Sequence, residues 1–558
     1  MHRSGTSMVG GILAKLGIDM GRKLIPADEA NKRGYFEDAE IVAFHGKVFR
    51  SLMSADVPGH VDWGWTEEAT LDQERLAGFI TQAHSIVNDR ARGGRVWGFK
   101  DPRTTVTLDL WDECIDDARY VLVYRYPWEV ADSMERGGAE VFLKNPTYAF
   151  RIWAFYNKRL LDFYKRHKSR CILVSSNAVP SNFDEFVRLI GTRLGFDHGS
   201  ADLESVFDAS LFTSDSGGEV VAGLTAATYP ECAELLGRLD DLADIPSDGA
   251  WRAGVVRKTE LGRPDVPADI ELSIIVPTYN DGFYLIDALA SIERAQLPGT
   301  ELIVVNDGSS DPTTLRALAG LERQGYYVIH KPNGGLSSAR NAAIAAARGR
   351  YVLPLDADNR IRPDFVTGAV EILDSEPEIG IVYGDRQLFG ASLGHVPVPE
   401  YEIQKLLGGN TIDACAVYRR ELWQQLGGYD EEMSGFEDWE YWLRAGLHGW
   451  RFCHLPMVAQ DYRVRSNSLL DQCLEGENQR RLCHYIRKKH AELYHSYLPW
   501  YWRGCSTVFG RFMGPQRLGK VREVESSSYW GLVWFFYGPG GVFGKDTTRR
   551  RKGRRSPH

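Results

Sequence analysis

The chain has 558 residues, 43% of them hydrophobic and 25% charged, which is enough for about two to four globular domains. Its 66 basic and 75 acidic residues give a formal net charge of −9, which argues against nucleic acid as a partner of the whole chain. The composition also excludes a largely disordered, collagen-like or coiled-coil protein.

The cysteines and the termini indicate a cytoplasmic protein. The eight cysteines are scattered and no two form a CxxC pair, so we expect reduced thiols, with no disulfide framework and no zinc site. The opening MHRSGTS lacks the charged and apolar regions of a secretion signal. No apolar run reaches the length of about 18 residues that a membrane span needs.

Residues 1–200, which we take as the first domain, alternate helix-like and strand-like segments. GTSMVGGILAKLG (5–17) has helical periodicity, and PWEVADSMER (127–136) has a proline suited to the first turn of a helix. RYVLVYR (119–125) and CILVSS (171–176) are continuous apolar runs. Buried strands followed by helices predict an α/β domain with a parallel sheet.

The loop HisArgSerGlyThrSer (2–7) opens the first predicted helix. It offers one positive charge, two kinds of hydroxyl and a glycine at a helix N-terminus, where free N–H groups and the helix dipole favour an anion. A phosphate site and a merely capped helix both fit this loop. The loop lacks the GxxxxGK[ST] spacing of a Walker A motif.

Three further motifs accompany this loop: GYFED (34–38), WGFKDPR (97–103) and the pair Arg125 and Ser133, eight residues apart. Together the four motifs resemble sulfotransferases that depend on 3′-phosphoadenosine 5′-phosphosulfate (PAPS). The resemblance implies a P-loop-like α/β domain in which the loop holds the 5′-phosphosulfate, and Arg125 and Ser133 hold the 3′-phosphate. The implied loop residues are Arg3, Ser4, Gly5, Thr6 and Ser7.

The resemblance further implies in-line sulfuryl transfer to a hydroxyl or amine, with Glu37 as the base. Asp38 is the second candidate for that base and His2 the third. Lys100, Asp101 and Arg103 are expected to line the site. Relatives carry an apolar strand before the loop, whereas this chain begins at the loop, so we expect either an internal Met1 or a truncated, inactive domain.

Residues 201–267 are rich in Ser, Gly, Asp and Ala, which predicts a linker, with one helix at ECAELLGRLDDLADI (231–245). Residues 268–500 form the second predicted α/β domain. Its strands are LSIIVPTYN, ELIVVNDGSSD, YYVIHKPN and YVLPLDADN, with helices between them. Because ligands bind at the carboxyl ends of strands in such sheets, we expect Asp307, Asp356 and Asp358 to converge.

LeuAspAlaAspAsn (355–359) places two carboxylates one residue apart after an apolar strand. On an extended strand end they would face the same way and offer oxygen ligands to a hard divalent cation. A solvated turn is the other interpretation, since Asp and Asn are common turn residues.

Five ordered motifs in this domain resemble family 2 nucleotide-sugar glycosyltransferases, which implies the GT-A fold. They are VPTYN (276–280), VNDGSSD (305–311), GGLSSARN (334–341), LDADN (355–359) and FEDWEYWLRA (436–445). The resemblance implies inverting transfer of a sugar without a covalent intermediate, and the expected donor is a UDP-sugar. It also implies the transfer of one or a few sugars, because the QxxRW motif of processive synthases is absent.

The family's residue roles carry over by position. Thr278, Tyr279 and Asp307 would hold the nucleobase and ribose, and Arg340 the nucleotide. Asp356 would contact the ribose or sugar and belong to the metal site, where Asp358 would bind Mg²⁺ or Mn²⁺.

Asp438 matches the general base that deprotonates the acceptor hydroxyl. Taken alone, the Glu437-Asp438 pair is better explained as an acidic helix start, and it is the upstream DxD that favours catalysis. Arg465 stands where many relatives carry a metal-approaching histidine, and an arginine there suits the diphosphate.

Residues 501–558 form a tail with an aromatic stretch (529–537) followed by ArgArgArgLysGlyArgArg (549–555). This pattern suits peripheral contact with an anionic inner membrane face, and equally a solvated terminus. Both domains together predict a bifunctional transferase that builds a sulfated glycan or glycolipid on a hydroxyl acceptor. The rivals are a glycosyltransferase with an inactive scaffold domain, a small kinase domain at the N-terminus, and a non-catalytic glycan-binding protein.

Overall fold

A computed structural model gives the fold. It describes residues 1–27, 34–52, 73–92, 95–137, 139, 141, 142, 145, 147–196, 218–256, 258–262, 269–465 and 468–497. The tail predicted over 501–558 lies outside the described residues. Within the described ranges, no helix combines the length and the apolar character needed to cross a bilayer. Seven cysteines fall within these ranges and all are free thiols.

The N-terminal region is α/β, as the apolar runs predict. Strands β1 (Tyr120–Tyr124) and β2 (Cys171–Ser175) pair in parallel, and Ile245 adds a parallel bridge to β2. The helices are α1 (Thr6–Lys15), α2 (Ala39–Leu52), α3 (Gln73–Ala77), α4 (Ile80–Ala91), α5 (Leu108–Cys114), α6 (Pro127–Arg136), α7 (Tyr148–Arg166) and α8 (Phe183–Leu194).

The interval 201–267, predicted as a linker with one helix, is more ordered than its composition suggests. Its described part holds three helices: α9 (Gly218–Thr228), α10 (Pro230–Leu242) and α11 (Trp251–Val256). Residues Leu224, Tyr229 and Leu236 of this interval are buried in the same core cluster as residues of both flanking regions. The three helices therefore pack between the two α/β regions, because their apolar faces bury against both.

The C-terminal region is built on one nine-stranded mixed sheet in the order β5-β4-β3-β6-β10-β8-β11-β7, with β9 paired to β8. Pairs β3–β4, β4–β5, β3–β6 and β8–β11 are parallel. The strands are β3 (Leu272–Thr278), β4 (Thr300–Asp307), β5 (Tyr327–Lys331), β6 (Tyr351–Pro354), β7 (Arg360–Ile361), β8 (Ile379–Gly390), β9 (Gly394–Val396), β10 (Val417–Arg419) and β11 (Arg451–Val464).

Helices cover this sheet and give it the layered α/β form expected of a GT-A-like domain. They are α12 (Gly282–Ala295), α13 (Pro312–Arg323), α14 (Gly335–Ala346), α15 (Pro363–Ser375), α16 (Ile403–Gly408), α17 (Arg420–Leu426), α18 (Glu437–Leu447), α19 (Leu469–Leu474), α20 (Gly476–Lys489) and α21 (Ala491–Tyr497). The four strands predicted from the sequence are β3 to β6, and their carboxyl ends open on one edge of the sheet.

Candidate functional site

The carboxyl end of β3 carries Thr278 and Tyr279. Thr278 is buried at 1% exposure, and its hydroxyl has no hydrogen-bond partner in the protein. The Tyr279 side chain is 50% exposed. An unpartnered buried hydroxyl beside an exposed aromatic face suits a bound planar group, since buried polar atoms are normally hydrogen-bonded.

Asn280 pins this end of β3 to the loop that follows β4. Its backbone is left-handed at φ 58°, and its side-chain oxygen accepts from the N–H groups of Ser310 and Asp311 at 2.8 and 2.9 Å. The motifs VPTYN and VNDGSSD are thereby held against each other. The sequence places these motifs at neighbouring strand ends but does not reveal this direct bond.

Asp307 ends β4 and is 3% exposed. One of its oxygens accepts from Lys331 Nζ at 2.5 Å and from the Gly334 N–H at 3.0 Å, and the other accepts from the Gly335 N–H at 2.8 Å. The predicted nucleobase contact is therefore a carboxylate that already anchors the start of α14. Further acceptance from a ring N–H uses the remaining lone pair of Oδ2.

Arg340 of α14 joins two motifs that are far apart in sequence. It is 1% exposed, donating from Nη1 to Glu437 Oε1 at 2.5 Å and from Nη2 to Asp356 Oδ1 at 2.7 Å. Its Nε is buried without a partner, and its guanidinium lies 5.5 Å from the Tyr429 ring centroid. The two acidic partners raise the pKa of Arg340 well above its usual range, although burial opposes this. It therefore connects the DxD and the Glu437-Asp438 pair.

Asp356 and Asp358 do not extend a strand, which corrects the geometry expected from the sequence. Strand β6 ends at Pro354, and the chain turns so that the Asn359 N–H donates to the Asp356 carbonyl at 3.0 Å. The two carboxylates consequently have separate arginine partners. They still act on each other, since the Asp356 charge helps to raise the pKa of Asp358.

Arg465 reaches the second carboxylate of the DxD. It donates from Nε to Asp358 Oδ2 at 2.7 Å and from Nη2 to Asp281 Oδ2 at 2.9 Å. Burial, with the charges of Asp356 and Asp281, raises the pKa of Asp358 to about 6 despite this arginine. The sequence does not point to Asp281, because this residue is connected to Asp358 through the shared partner Arg465.

Asp438 lies in the first turn of α18, and its Oδ2 accepts from Asn410 Nδ2 at 2.9 Å. Burial, followed by the charges of Glu437 and Asp413, raises the pKa of Asp438 to about 7. A carboxylate tuned to this range exchanges a proton near neutral pH, which is the property required of a general base. Asn410 and Asp413 escape a motif search because they belong to none of the five motifs.

Left-handed backbone marks several of these positions. Phe436, immediately before Glu437, has φ 56°, and Phe36, immediately before Glu37, has φ 53°. Arg3 in the first loop has φ 60°. Non-glycine residues in this region are uncommon and concentrate at functional sites. No sequence pattern predicts these conformations.

The loop 3–7 forms the predicted turn into α1. Gly5 has φ +79°, and a side chain there would come within 2.5 Å of the Ser176 Cβ. Ser4 is fully buried, and its hydroxyl has no partner in the protein. Glycine is required at this position by both its backbone angle and its close approach to Ser176.

Lys100 and Glu37 come together at this loop. Lys100 Nζ donates to Ser7 Oγ at 3.1 Å and to Glu37 Oε1 at 2.5 Å. Burial raises the pKa of Glu37, while Lys100 opposes the shift. The motifs GYFED and WGFKDPR therefore meet the first loop through one lysine, as expected for a common site.

Arg125 also approaches the loop, donating from Nη1 to the Arg3 carbonyl at 3.3 Å. Its Nε donates to Glu129 Oε2 at 2.6 Å. Ser133 lies on α6, one turn beyond Glu129. Arg125 is thus near the predicted anion site, and its Nε is held by a carboxylate.

The other candidates near this loop have structural roles. Asp38 accepts from Arg90 Nη2 at 2.6 Å and from the Arg22 N–H at 2.7 Å, so it fixes the fold and is a poor choice for the base. Asp101 is buried between Arg103 and His45, with His45 Nδ1 at 2.9 Å. Asp38 and Asp101 therefore stabilise the structure around the loop.

His2 is the remaining candidate for the base. Burial lowers the pKa of His2 to about 3, which makes it a weak base. Glu37 is therefore the better of the predicted bases.

Helix α6 also contacts the C-terminal region. Glu135 forms an ion pair with Arg463, and Asp132 lies 4.0 Å from Arg360. Arg463 in turn donates from Nε to the Asp358 carbonyl at 2.9 Å. The helix that carries Ser133 is thus connected to the turn that carries the DxD.

Sequence comparisons identify the second region. Glycosyl transferase family 2 matches residues 273–427. The uncharacterized glycosyltransferase EpsJ of Bacillus subtilis is 31% identical over 244 residues, which cover 38% of this chain and 69% of EpsJ. The chain belongs to glycosyl transferase family 2. The family 2 match includes the DxD and ends before the Glu437-Asp438 pair.

Other proteins match this chain at lower identity. Chondroitin synthase of Pasteurella multocida is 26% identical over 193 residues, covering 34% of this chain and 20% of that protein. The chain spans only 20 to 23% of the length of the first curated relatives it matches. The S. aureus TarS 1–349 structure in complex with UDP-GlcNAc matches with a TM-score of 0.35 and 23% identity, covering 41% of this chain and 68% of TarS 1–349.

Proposed function

We propose that the family 2 domain transfers a sugar from a nucleotide-sugar donor to an acceptor hydroxyl with inversion at the anomeric carbon. The observation that carries this proposal is Asp438, a carboxylate with its pKa raised to about 7, linked through Glu437 and Arg340 to the DxD. Family membership supports a nucleotide-sugar donor, and UDP is the proposed nucleotide.

The donor site is proposed at the ends of β3 and β4. Tyr279 would stack on the nucleobase, Thr278 would supply its unpartnered hydroxyl, and Asp307 would accept from a ring N–H. Arg340 would keep Asp356 in place beside the ribose or diphosphate. This arrangement explains why buried polar atoms gather at this edge of the sheet.

A divalent cation, Mg²⁺ or Mn²⁺, fits the DxD. Asp358 and Asp356 offer hard oxygen donors. Burial, to which the charges of Asp356 and Asp281 add, raises the pKa of Asp358, and a bound cation would favour its ionised form. Among the described residues, no group of three His, Cys, Asp or Glu side chains surrounds one point, so the diphosphate and water must supply further ligands. When bound, the cation would neutralise charge on the departing diphosphate.

Asp438 would act on the acceptor. Its carboxylate takes the proton of the acceptor hydroxyl as that oxygen bonds to the anomeric carbon, and the bond from this carbon to the nucleoside diphosphate breaks. Asn410 donates to Asp438 Oδ2, and the Trp439 N–H donates to Oδ1 at 2.8 Å, so both oxygens of the carboxylate are held in place. One displacement completes the reaction, so no covalent nucleophile is needed.

A panel of nucleotide sugars tests this function. The chain is incubated with Mn²⁺ and UDP-, GDP-, dTDP- or CMP-linked sugars, and release of the nucleoside phosphate is followed. We expect at least one donor, most readily a UDP-sugar, to be consumed. Consumption of none, by protein that binds none of the corresponding nucleotides, would refute the transferase function.

A second function is proposed for the N-terminal region: sulfuryl transfer from PAPS, which would make the chain a bifunctional enzyme for a sulfated glycan or glycolipid. The supporting observation is the meeting of Lys100, Ser7 and Glu37 at a helix N-terminus that also holds a buried, unpartnered Ser4 hydroxyl. Glu37 would take the acceptor proton while the sulfuryl group passes from the phosphosulfate to the acceptor oxygen.

Binding of 3′-phosphoadenosine 5′-phosphate to the full chain tests this second function by calorimetry. Saturable binding that ATP does not compete away supports it. Absence of binding supports the rival in which the N-terminal region is an inactive scaffold, and preference for ATP supports the kinase rival.

A further inference from the structure

A second group of polar side chains lies near Asp438 and is connected to it through Asn410 and the charge of Asp413. It consists of Arg386, Asn410, Asp413, Gln460 and Tyr462, and none of them belongs to the motifs that identify the family. The inference drawn from this group deepens the proposed sugar transfer and rests on it.

Strands β8 and β11 supply one face of this group. Arg386 of β8 is the register partner of Gln460 of β11, and Tyr462 follows two residues later on the same face. The Arg386 guanidinium lies 5.8 Å from the Tyr462 ring centroid. A guanidinium, an amide and an aromatic ring therefore stand together on one patch of sheet.

Asp413 joins this patch to the proposed base. Its Oδ1 accepts from Gln460 Nε2 at 2.8 Å, and its Oδ2 lies 3.6 Å from Arg386 Nη1. The Asp413 charge contributes to the raised pKa values of both Asp438 and Tyr462. The patch therefore lies within electrostatic reach of the atom that would receive the acceptor proton.

Three buried polar atoms in this group have no partner in the protein: Gln460 Oε1, Asn410 Oδ1 and Arg386 Nε. Gln460 is fully buried. The Gln460 and Asn410 oxygens belong to the same amides whose nitrogens donate to Asp413 and Asp438. They therefore lie at this cluster, where an unmade hydrogen bond costs about 1–3 kcal/mol.

The chemistry of these atoms selects hydroxyl groups as their partners. Two amide oxygens need donors, the guanidinium nitrogen needs an acceptor, and a hydroxyl is both a donor and an acceptor. Neighbouring hydroxyls of a sugar ring meet these needs at one place. An aliphatic alcohol has one hydroxyl and would leave most of these atoms unpaired.

The charge around the cleft disfavours an anionic acceptor. Six carboxylates face three guanidinium groups here: Asp281, Asp356, Asp358, Asp413, Glu437 and Asp438 against Arg340, Arg386 and Arg465. A proposed divalent cation and the donor diphosphate would roughly cancel each other. A neutral acceptor avoids repulsion by the excess of carboxylates.

We propose that Arg386, Asn410, Asp413 and Gln460 form the acceptor subsite, and that this subsite takes a neutral sugar ring through neighbouring hydroxyls. One ring hydroxyl lies at Asp438, gives its proton to that carboxylate and forms the new glycosidic bond. The donor's bond to the diphosphate breaks, and the diphosphate leaves with the bonding electrons. Tyr462 covers one side of the ring.

The acceptor class is tested with the wild-type chain, Mn²⁺ and the donor found in the panel. Four acceptors are compared: methyl β-D-glucopyranoside, methyl β-D-glucuronide, glycerol 3-phosphate and octanol. We expect the neutral glucoside to stimulate nucleotide release, with kcat/KM at least about tenfold above that of the other three. A preference for the glucuronide, the phosphate or octanol would overturn the proposal.

The residues are tested by Gln460→Leu and Asn410→Ala, with Gln425→Leu as the matched control. Gln425 donates to Glu421 Oε1 on the exposed surface of α17. We expect each subsite variant to raise the acceptor KM about tenfold and to change the donor KM by less than about twofold. UDP binding identifies the variants that are folded. An unchanged acceptor KM in a folded variant overturns the subsite.

A separate measurement distinguishes failure of the subsite from failure of the transferase function. Saturation-transfer NMR detects contact of methyl β-D-glucopyranoside with the UDP-bound chain without any turnover. Contact that Gln460→Leu abolishes supports the subsite even if no donor in the panel is consumed. Donor consumption without such contact overturns the subsite and leaves sugar transfer standing.

Discussion

The two α/β regions differ in the charged groups that they would present to the phosphate-bearing donors proposed for them. The family 2 cleft gathers carboxylates, with Asp356, Asp358 and Asp438 each raised in pKa or held by an arginine. The N-terminal loop instead offers Lys100, Arg125 and a helix N-terminus. An acidic cleft needs a cation to accept a diphosphate, whereas a basic loop binds an anion directly. We therefore expect donor binding to depend on a metal ion in the family 2 cleft and not at the N-terminal loop, although both regions have an α/β fold.

The two regions nevertheless share an ionic contact through helix α6. Helix α6 carries Ser133 of the proposed anion site and Glu135, which pairs with Arg463 below the DxD turn. Arg463 also donates to Asp287 Oδ2 at 2.5 Å and is 3% exposed. The two regions are therefore connected by an ion pair whose arginine is buried.

The largest expected effect comes from removing the proposed base. Asp438→Asn keeps the shape of the side chain but cannot take a proton, so transfer should fall about 10³-fold. Initial rates of nucleotide release with acceptor present measure this. Asp364→Asn, an exposed acid in the first turn of α15, is the control and should retain full activity. A loss below tenfold for Asp438→Asn would contradict its role.

The next effect concerns the stability of the acidic region. Glu440 is fully buried and accepts from Arg444, Lys489 and His490, which lower the pKa of Glu440 to about 2. Glu440→Gln leaves buried positive groups short of a partner and should lower the free energy of unfolding by about 3 kcal/mol. Urea unfolding followed by tryptophan fluorescence checks this, with the exposed Glu477→Gln as the control.

The same carboxylate predicts a pH window for stability. Because the pKa of Glu440 is lower in the folded chain, its contribution is present above about pH 4.5 and is lost as pH falls toward 2. In Glu440→Gln this acid-dependent loss should shrink. An identical acid response in both proteins would show that Glu440 carries no such contribution.

A smaller effect tests the basic half of the contrast. Arg125→Ala should weaken binding of 3′-phosphoadenosine 5′-phosphate about 30-fold, since a charge-assisted hydrogen bond contributes about 1.5–3 kcal/mol. Arg119→Ala is the matched control, because Arg119 precedes the opposite end of the same strand β1. Equal affinities of the two variants, measured by calorimetry, would remove Arg125 from the anion site.

The smallest effect is the pH dependence of sugar transfer. Since the pKa of Asp438 is raised to about 7, its basic form declines about tenfold for each pH unit below that value. The rate at saturating donor should therefore rise from pH 5.5 to pH 7 and level off by pH 8. A flat profile across this range would show that Asp438 does not titrate as proposed.

Much of the donor side was readable from the sequence. The apolar runs before VPTYN, VNDGSSD and LDADN become strands β3, β4 and β6, because continuous Ile, Val and Leu residues suit strands covered on both faces. The helices expected between these strands are present and begin at Gly282, Pro312 and Gly335. The local sequence pattern is enough to predict strands and helices that alternate along the chain.

The residues of the proposed acceptor subsite could not be predicted from the sequence. Strands β8 and β11 are parallel neighbours although some 60 residues separate them, and their register shifts at His454 and Val458. Gln460 and Arg386 meet only through this long-range pairing, and no local pattern encodes it. The sequence also does not predict the left-handed backbone at Phe36 and Phe436, since tertiary contacts rather than residue type impose it.

Calorimetry of UDP binding with and without Mn²⁺ tests the central claim most directly, that the acidic cleft accepts a diphosphate only beside a cation. UDP should bind the wild-type chain in Mn²⁺ and bind at least about tenfold more weakly in EDTA, and Asp358→Ala should lose this dependence on Mn²⁺. Equal UDP affinity with and without the cation, in a chain that binds UDP well, would contradict it.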